Sequence, residues 1–182
     1  MIFSGLKWYL TGHSKPFGEE TVKGSQKVID AMNGLLGAEL AAMDQYFIHS
    51  EMYEDWGLTK LYERIAHEFD DEKGHATALI KRILFLEGTP DMVTRKGIDI
   101  GTDVPSMLKS DLRIEYEVGA ALKDAIQICE EEQDFQTRKI LEVLLEDTEM
   151  DHAYWLEKQL GLIDKIGLEN YLQSQTGDAP EG

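Results

Sequence analysis

The chain has 182 residues, which is enough for one domain with a hydrophobic core. Its 35 aspartates and glutamates outnumber its 18 lysines and arginines, and the net charge of −17 repels nucleic acids and anionic membranes but favours small cations. The single cysteine cannot form an internal disulfide, and no apolar run approaches the roughly 20 residues of a membrane span. The stretch MIFSGLKWYL lacks the basic start of a secretory signal. We therefore expect a cytoplasmic protein that binds neither nucleic acid nor membrane.

Helical periodicity dominates the chain. Apolar residues recur at steps of three and four from about residue 26 to 56, which predicts one long amphipathic helix that ends at Gly57. A second such pattern covers about residues 59–87. Two more follow at about residues 105–131 and 135–160, separated by a tight turn. These four segments predict two antiparallel helical hairpins.

A long connection separates the two hairpins. The stretch GTPDMVTRKGIDIGTDVP contains five glycines and prolines, which exclude a continuing helix. Its length has a geometric reason if the second and third helices run parallel, because the chain must then return along the whole bundle. A helix of about 28 residues is roughly 42 Å long, and about 18 extended residues reach roughly 60 Å. The sequence thus predicts an all-α four-helix bundle with one long crossover, and GLENYLQSQ predicts a short fifth helix.

Each long helix carries side chains of a kind that binds transition metals. The second and fourth helices each have a Glu-x-x-His motif, whose spacing puts a carboxylate and an imidazole on one helix face. The first and third helices each have a glutamate among apolar residues, where an unpaired carboxylate would be costly. The candidate ligands are Glu39, Glu72, His75, Glu115, Glu149 and His152.

The spacing of the glutamates predicts that these groups meet at one level of the bundle. Glu72 follows Glu39 by 33 positions and Glu149 follows Glu115 by 34, so each hairpin rises and returns by nearly the same length. One Glu from each of two helices, with Glu-x-x-His from the other two, is the ligand set of di-iron carboxylate bundles. Such ligands suit Fe²⁺ and also accept Mn²⁺ and Zn²⁺. The sequence therefore predicts a di-metal centre, with iron as the expected metal.

Five motifs resemble the bacterioferritin family over about residues 24–175: ELAAMDQYFIHSEMYEDWG, HEFDDEKGHA, RILFLEGTP, EDTEMDHAYWLE and GLENYLQSQ. The resemblance implies a ferritin-like bundle that assembles into a hollow shell of 24 subunits around a ferric mineral. It also implies a ferroxidase centre in each subunit, which oxidises Fe²⁺ with O₂ or H₂O₂. We expect a ferritin-like domain at residues 23–175, with an extension at residues 1–22 and a flexible tail at residues 176–182.

The resemblance gives each candidate ligand a role. It assigns Glu39 and His75 to one iron, Glu115 and His152 to the other, and Glu72 and Glu149 to the bridge between them. Tyr46 lies seven residues after Glu39, hence on the same helix face, and resembles the family's tyrosine beside the metal site. In the family this tyrosine is a candidate one-electron donor; a plain core tyrosine is the alternative.

Four other side chains receive weaker assignments. His67 and Asp71, one turn apart, match positions where the family offers iron a secondary site on the inner surface. As a solvated pair on a helix they need no such role, and both interpretations stay open. His13 and His49 match no ligand position, so we expect both to be surface residues.

Two features depart from the family. Residues 1–22 precede its usual start and are either a loosely packed arm or a docking segment. Lys73 occupies the position of the methionine that ligates haem between two subunits. The chain therefore resembles the subgroup that lacks this methionine and can assemble with haem-binding subunits. We expect no haem b in a shell made of this chain alone.

Two other functions remain compatible with the residues. The chain could be a structural shell subunit whose metal site serves folding, or a bare di-iron oxidase or peroxidase without a storage shell. Catalytic turnover of Fe²⁺ separates the first alternative from a ferroxidase, and the mass of the assembly separates the second from a storage protein.

Overall fold

The computed structural model describes residues 23–177, so the predicted N-terminal extension, His13 and most of the predicted tail lie outside the described residues. Within this range every regular element is helical. The elements are α1 (Gln26–Asp55), α2 (Thr59–Phe85), α3 (Val104–Glu131), α4 (Phe135–Asp147), a π-helical segment (Thr148–Ala153), α5 (Tyr154–Ile166) and α6 (Leu168–Gln175). Because α4, the π-helical segment and α5 follow one another without a break, they form one long fourth helix. The predicted four-helix bundle with a short C-terminal helix is confirmed.

Local signals explain where the third and fourth helices begin. Asp103 precedes α3, and its side chain accepts a hydrogen bond from the backbone N–H of Ser106, while the Ser106 hydroxyl accepts one from the backbone N–H of Asp103. This reciprocal pair satisfies two N–H groups that have no partner inside the helix. Asp134 caps α4 in a similar way, through the backbone N–H of Thr137 at 2.9 Å. Gln133, in the turn before it, has a φ of 59°, which is the left-handed conformation of a helix end.

Side-chain contacts establish the directions of the helices. Lys27 at the start of α1 pairs with Glu132 just beyond the end of α3, at 2.6 Å, so α1 and α3 run antiparallel. Arg82 near the end of α2 pairs with Asp134 just before α4, at 2.8 Å, so α2 runs antiparallel to the fourth helix. Since α1 and α2 form a hairpin, α2 and α3 are parallel, as the long connection predicted. Among the described helices, none combines the length and the apolar character that a membrane span requires.

The crossover at residues 86–103 lies along α1 and is held there by side chains of that helix. Asn33 donates to the backbone carbonyl of Thr89 at 3.1 Å. Further along, the side-chain oxygen of Gln45 accepts from the backbone N–H of Asp99 at 2.9 Å. Between them, a Cβ added to Gly37 would lie 3.1 Å from a backbone oxygen of the crossover. Glycine at this position therefore lets the crossover approach the helix closely.

The hydrophobic core runs the length of the bundle and encloses a polar layer at its middle. All four long helices contribute fully buried side chains, among them Leu36, Leu61, Ile65, Leu79, Met107, Leu108, Leu122 and Leu141. Burial of each such side chain stabilises the fold by about 1.5–3 kcal/mol. Apolar side chains therefore lie on both sides of the polar layer along the bundle.

Candidate metal centre

Five of the six predicted ligands lie together in the middle of the bundle. One comes from α1, two from α2, one from α3 and one from the π-helical segment, and none is more than 7% exposed. They are Glu39, Glu72, His75, Glu115 and His152. Charged groups at this depth are expected to be paired or to bind a metal.

The ligand atoms form two groups that share Glu72. Those of Glu39, Glu72 and His75 all lie within 4.8 Å of one another, and so do those of Glu72, Glu115 and His152. Ligand atoms about 2.1 Å from a common metal lie at most roughly 4 Å apart, so each group needs only small movements to hold an ion. The arrangement therefore fits two metal positions with one carboxylate between them.

Proton distribution in the cluster favours a negative charge on the shared carboxylate. Burial, followed by the nearby charge of Glu72, raises the pKa of Glu39 well above its usual value and that of Glu115 to about 7. Burial would also raise the pKa of Glu72, but contacts with His152 and His75 outweigh it and lower that pKa. Below about pH 7 the protein thus holds protons at Glu39 and Glu115, and an incoming cation must displace them.

Both histidines turn Nδ1 toward Glu72 and Nε2 toward a carboxylate outside the two groups. Nδ1 of His75 and Nδ1 of His152 each lie 3.1 Å from an oxygen of Glu72. On the other side, Nε2 of His75 lies 2.9 Å from Asp147, and Nε2 of His152 lies 2.9 Å from Glu68. A carboxylate on the outer nitrogen fixes the tautomer and orientation of a metal-binding imidazole. Burial lowers the pKa of His152, but contacts with the surrounding glutamates outweigh this effect and raise it.

The donor set fits a transition metal. Within residues 23–177, neither carboxylate oxygen of Glu39 has a hydrogen-bond donor, and Oε2 of Glu115 and Nδ1 of His152, which face the cluster, also lack a hydrogen-bond partner. Buried polar atoms without partners are rare in native proteins and call for a bound ion or another specific explanation. A mixture of carboxylate oxygens and imidazole nitrogens suits Fe²⁺, Mn²⁺ or Zn²⁺. Two such ions, bound side by side, would supply these missing partners.

Tyr46 lies beside the cluster, at the place that its spacing from Glu39 predicted. It is buried, and its hydroxyl donates a hydrogen bond to Oε1 of Glu115. Burial and then the charge of Glu115 raise the pKa of Tyr46 well above 10, so the phenol keeps its proton. Its role as an electron donor stays a prediction.

Glu149 is the predicted ligand that does not join the cluster. Its side chain is 47% exposed, and its Oε1 pairs with Nζ of Lys123 at 2.6 Å. The reason is the π-helical segment at Thr148–Ala153, which contains both Glu149 and His152. Residues three apart share a face in an α-helix, but a π-helix has more residues per turn and rotates them away from each other.

A surface pocket of about 400 Å³ lies between α3 and the π-helical segment. Both Glu149 and the buried Glu115 line it, together with Lys123 and Glu157. The pocket therefore connects the acidic surface with one side of the metal centre.

The predicted secondary site and the predicted haem position both lie toward the surface. His67 and Asp71 pair at 2.9 Å, with side chains 61% and 28% exposed. Besides this pair, a ligand atom of Asp71 lies within 4.8 Å of those of Glu68, Asp151 and His152. Lys73 is exposed.

The expectation that His49 is a surface residue is wrong. His49 is fully buried, and its Nδ1 lies 2.8 Å from Oδ1 of Asp111, which also accepts a hydrogen bond from Gln45 at 2.7 Å. This polar network connects α1 with α3. Burial raises the pKa of Asp111 by more than the contacts with His49 and Gln45 lower it, so the net shift is upward.

Sequence reasoning also missed two buried acids that lie one helical turn from predicted ligands. Asp111 and Glu68 each lie four residues before a predicted ligand on the same helix, Glu115 and Glu72 respectively. Residues at this spacing are neighbours on one helix face. An acidic residue one turn from a predicted ligand was therefore the signal that could have identified both.

Comparisons with known proteins agree with this architecture. The family model described as ferritin-like domain matches residues 29–166. The chain is 62% identical over 154 residues to the bacterial ferritin of Synechocystis sp., and these cover 85% of this chain and 99% of that protein. It is 60% identical to the bacterial ferritin of Pseudomonas aeruginosa, with the same coverage. It is 39% identical over 160 residues to the bacterioferritin of Brucella melitensis, covering 88% of this chain and 99% of that protein.

Proposed function

The chain belongs to the ferritin-like family, and from this premise we propose that it stores iron and oxidises Fe²⁺ to Fe³⁺ at a di-iron centre in each subunit. The ferric product is deposited as mineral inside a shell of 24 subunits in the cytoplasm. The observation that carries the proposal is the pair of buried ligand groups that share Glu72. A purely structural site would not need two adjacent metal positions.

The ligands divide between the two ions according to the two groups. Glu39 and His75 bind one Fe²⁺, and Glu115 and His152 bind the other. The carboxylate of Glu72 bridges the two ions, since it belongs to both groups. Glu149 is proposed as a second bridge, for which its side chain must leave Lys123 and rotate toward the cluster.

Two Fe²⁺ ions supply the two electrons that, with two protons, reduce O₂ to H₂O₂. Binding of the cations displaces the protons that Glu39 and Glu115 hold, and both side chains then act as carboxylate ligands. Tyr46 keeps a hydrogen bond on Glu115 and so holds that carboxylate in place.

An anaerobic Fe²⁺ titration followed by addition of O₂ tests the centre. We expect binding to saturate near two Fe²⁺ per subunit and the bound iron to be oxidised in a fast phase. Glu72→Ala should abolish that phase, because it removes the ligand that both ions share. Glu63→Ala is the control, since Glu63 is an exposed glutamate on the same helix. Oxidation at the parent rate by a folded Glu72→Ala protein would contradict the assignment.

The same experiment on Glu149→Ala tests the second bridge. If Glu149 turns inward to hold both ions, the fast phase is lost in this variant as well. An unchanged fast phase would restrict the centre to the five buried ligands and leave Glu149 as a surface partner of Lys123.

Storage also requires assembly, because a single bundle has no cavity for a mineral. Large apolar side chains remain exposed on α1, α2 and α4 of the isolated chain, among them Phe47, Leu84, Phe85 and Val143. Such surfaces are typical of subunit interfaces. Native mass spectrometry is expected to give a mass near 24 subunits. A stable monomer or dimer would contradict storage and favour the bare di-iron oxidase.

A further inference from the structure

Arg64 on α2 places its guanidinium between two acidic side chains that flank His152. Its Nη2 lies 2.5 Å from Oε1 of Glu68, one turn along α2, and 3.0 Å from Oδ2 of Asp151 in the π-helical segment. The guanidinium also lies over the ring of Trp155, 5.2 Å from the ring centre. These contacts tie α2 to the segment that carries His152.

The contact with Glu68 leads directly to the metal centre. Glu68 is 1% exposed, and its second oxygen, Oε2, lies 2.9 Å from Nε2 of His152. Nδ1 of the same ring faces Glu72 at 3.1 Å and Glu115 at 3.4 Å. One continuous row of contacts therefore runs from the guanidinium through a carboxylate and an imidazole to the cluster.

His75, the other candidate histidine ligand, is held in place less firmly. Nε2 of His75 lies 2.9 Å from Asp147, whose side chain is 43% exposed. In the described chain, no lysine or arginine forms an ion pair with Asp147. Solvent weakens the interactions of an exposed carboxylate. The two metal positions thus differ in how firmly their histidines are held.

Arg64 also contacts a group of four possible metal ligands that lies next to the centre. Ligand atoms of Glu68, Asp71, Asp151 and His152 lie within 4.8 Å of one another. The guanidinium already contacts two of the three carboxylates, and its positive charge repels a divalent cation. This acidic group is therefore better explained as the binding site of Arg64 than as a further metal site.

We propose that Arg64 is a positioning residue, which holds Glu68 against Nε2 of His152 and so keeps Nδ1 of that ring aimed at the two-metal cluster. The proposal rests on the proposed function of the centre. It requires that loss of Arg64 weakens the metal position served by His152 and leaves the position served by His75 intact.

Anaerobic titration of the assembled protein with Co²⁺, followed by its visible absorption, tests the proposal without any oxidation chemistry. In Arg64→Ala, one of the two Co²⁺ equivalents should bind more weakly, by at most the loss of about 10–100-fold that removal of a residue directly behind a metal ligand causes. The other equivalent should keep its affinity. Arg64→Lys keeps a positive charge beside Glu68 and should restore most of the loss.

Glu68→Gln provides a second variant in case Arg64→Ala does not fold. It keeps the shape of the side chain but removes the negative charge that faces Nε2 of His152. We expect it to weaken the same Co²⁺ equivalent as Arg64→Ala. Two unchanged equivalents in a folded Glu68→Gln protein would overturn the proposal.

Arg82→Ala is the matched control. Arg82 pairs with Asp134 at 2.8 Å and lies over the ring of Phe85 at 4.9 Å, so its contacts are of the same kind. It lies 18 positions after Arg64, about 27 Å along α2. Unchanged Co²⁺ binding in Arg64→Ala, or an equal loss in Arg82→Ala, would overturn the proposal. Failure of the parent protein to bind two Co²⁺ would instead overturn the proposed function.

Discussion

Metal binding by this protein should depend steeply on pH near neutrality, because the cluster holds protons that the metal must displace. The pKa of Glu115 is raised to about 7, so its carboxyl is mostly neutral at pH 6 and mostly ionised at pH 8. The ionised fraction changes by about tenfold between these two pH values. Affinity for a divalent metal should therefore rise about tenfold from this one residue as the pH rises.

Glu39 makes the dependence steeper. Its pKa is raised well above the usual value by burial and by the charge of Glu72, so a second proton leaves when the metal binds. Calorimetric Co²⁺ titrations at pH 6, 7 and 8, in two buffers with different ionisation enthalpies, measure both the affinity and the number of protons released. We expect more than one proton per pair of ions at pH 6.

Glu115→Gln is the control for this reasoning, because it keeps the shape of the side chain and cannot titrate. It should bind metal more weakly at every pH and release about one proton fewer at pH 6 than the parent protein. Equal Co²⁺ affinity of the parent at pH 6 and pH 8 would refute the inference that the buried carboxyls hold protons.

Four further predictions follow from single residues. The raised pKa of Glu115 contributes stability to the metal-free protein below pH 4.5, and this contribution is lost as the pH rises through about 7. In urea unfolding, the parent protein should therefore lose up to about 3 kcal/mol more of its free energy of unfolding over this pH range than Glu115→Gln does. Tyr46→Phe, which removes the donor to Glu115, should lower the free energy of unfolding by about 1–3 kcal/mol in the same assay. Leu36 is fully buried, so Leu36→Ala should cost about 2–5 kcal/mol, and a loss below about 1 kcal/mol would contradict its packing. A shell of this chain alone, expressed with ample haem, should show no Soret band, since Lys73 offers no thioether and is exposed. A stoichiometric Soret band that Lys73→Ala abolishes would contradict this prediction. Haem binding by Lys73→Met would show that the rest of the haem pocket is present.

The sequence alone predicted the four long helices, the crossover and the level at which the glutamates meet. These features follow from local periodicity and from distances counted along the chain. Glu39 and Glu72 lie together because 33 positions take the chain up one helix and back down the next. The fourth helix was predicted to end near residue 160, and the structure extends it to Ile166.

The two buried carboxylates beside the predicted ligands show the limit of periodicity. A helical pattern indicates which residues share a face, but it does not identify the side chains that lie opposite. His49 is buried, and its partner there, Asp111, lies 62 positions away on α3 at 2.8 Å. Glu68 lies against His152 for the same kind of reason. The residues next to His49 and His152 in the sequence give no indication of either contact.

Glu149 shows most clearly what only the tertiary structure decided. The sequence determined that a Glu-x-x-His motif stands on the fourth helix, and the expectation that both residues face the core assumed an α-helix at that point. The structure has a π-helical segment there, which turns His152 inward and Glu149 toward Lys123. The composition of the segment does not specify this extra width. In the structure, side chains of α2 and α3 contact the segment from two sides, Arg64 at Asp151 and Lys123 at Glu149, and neither contact can be identified from the sequence of the segment itself.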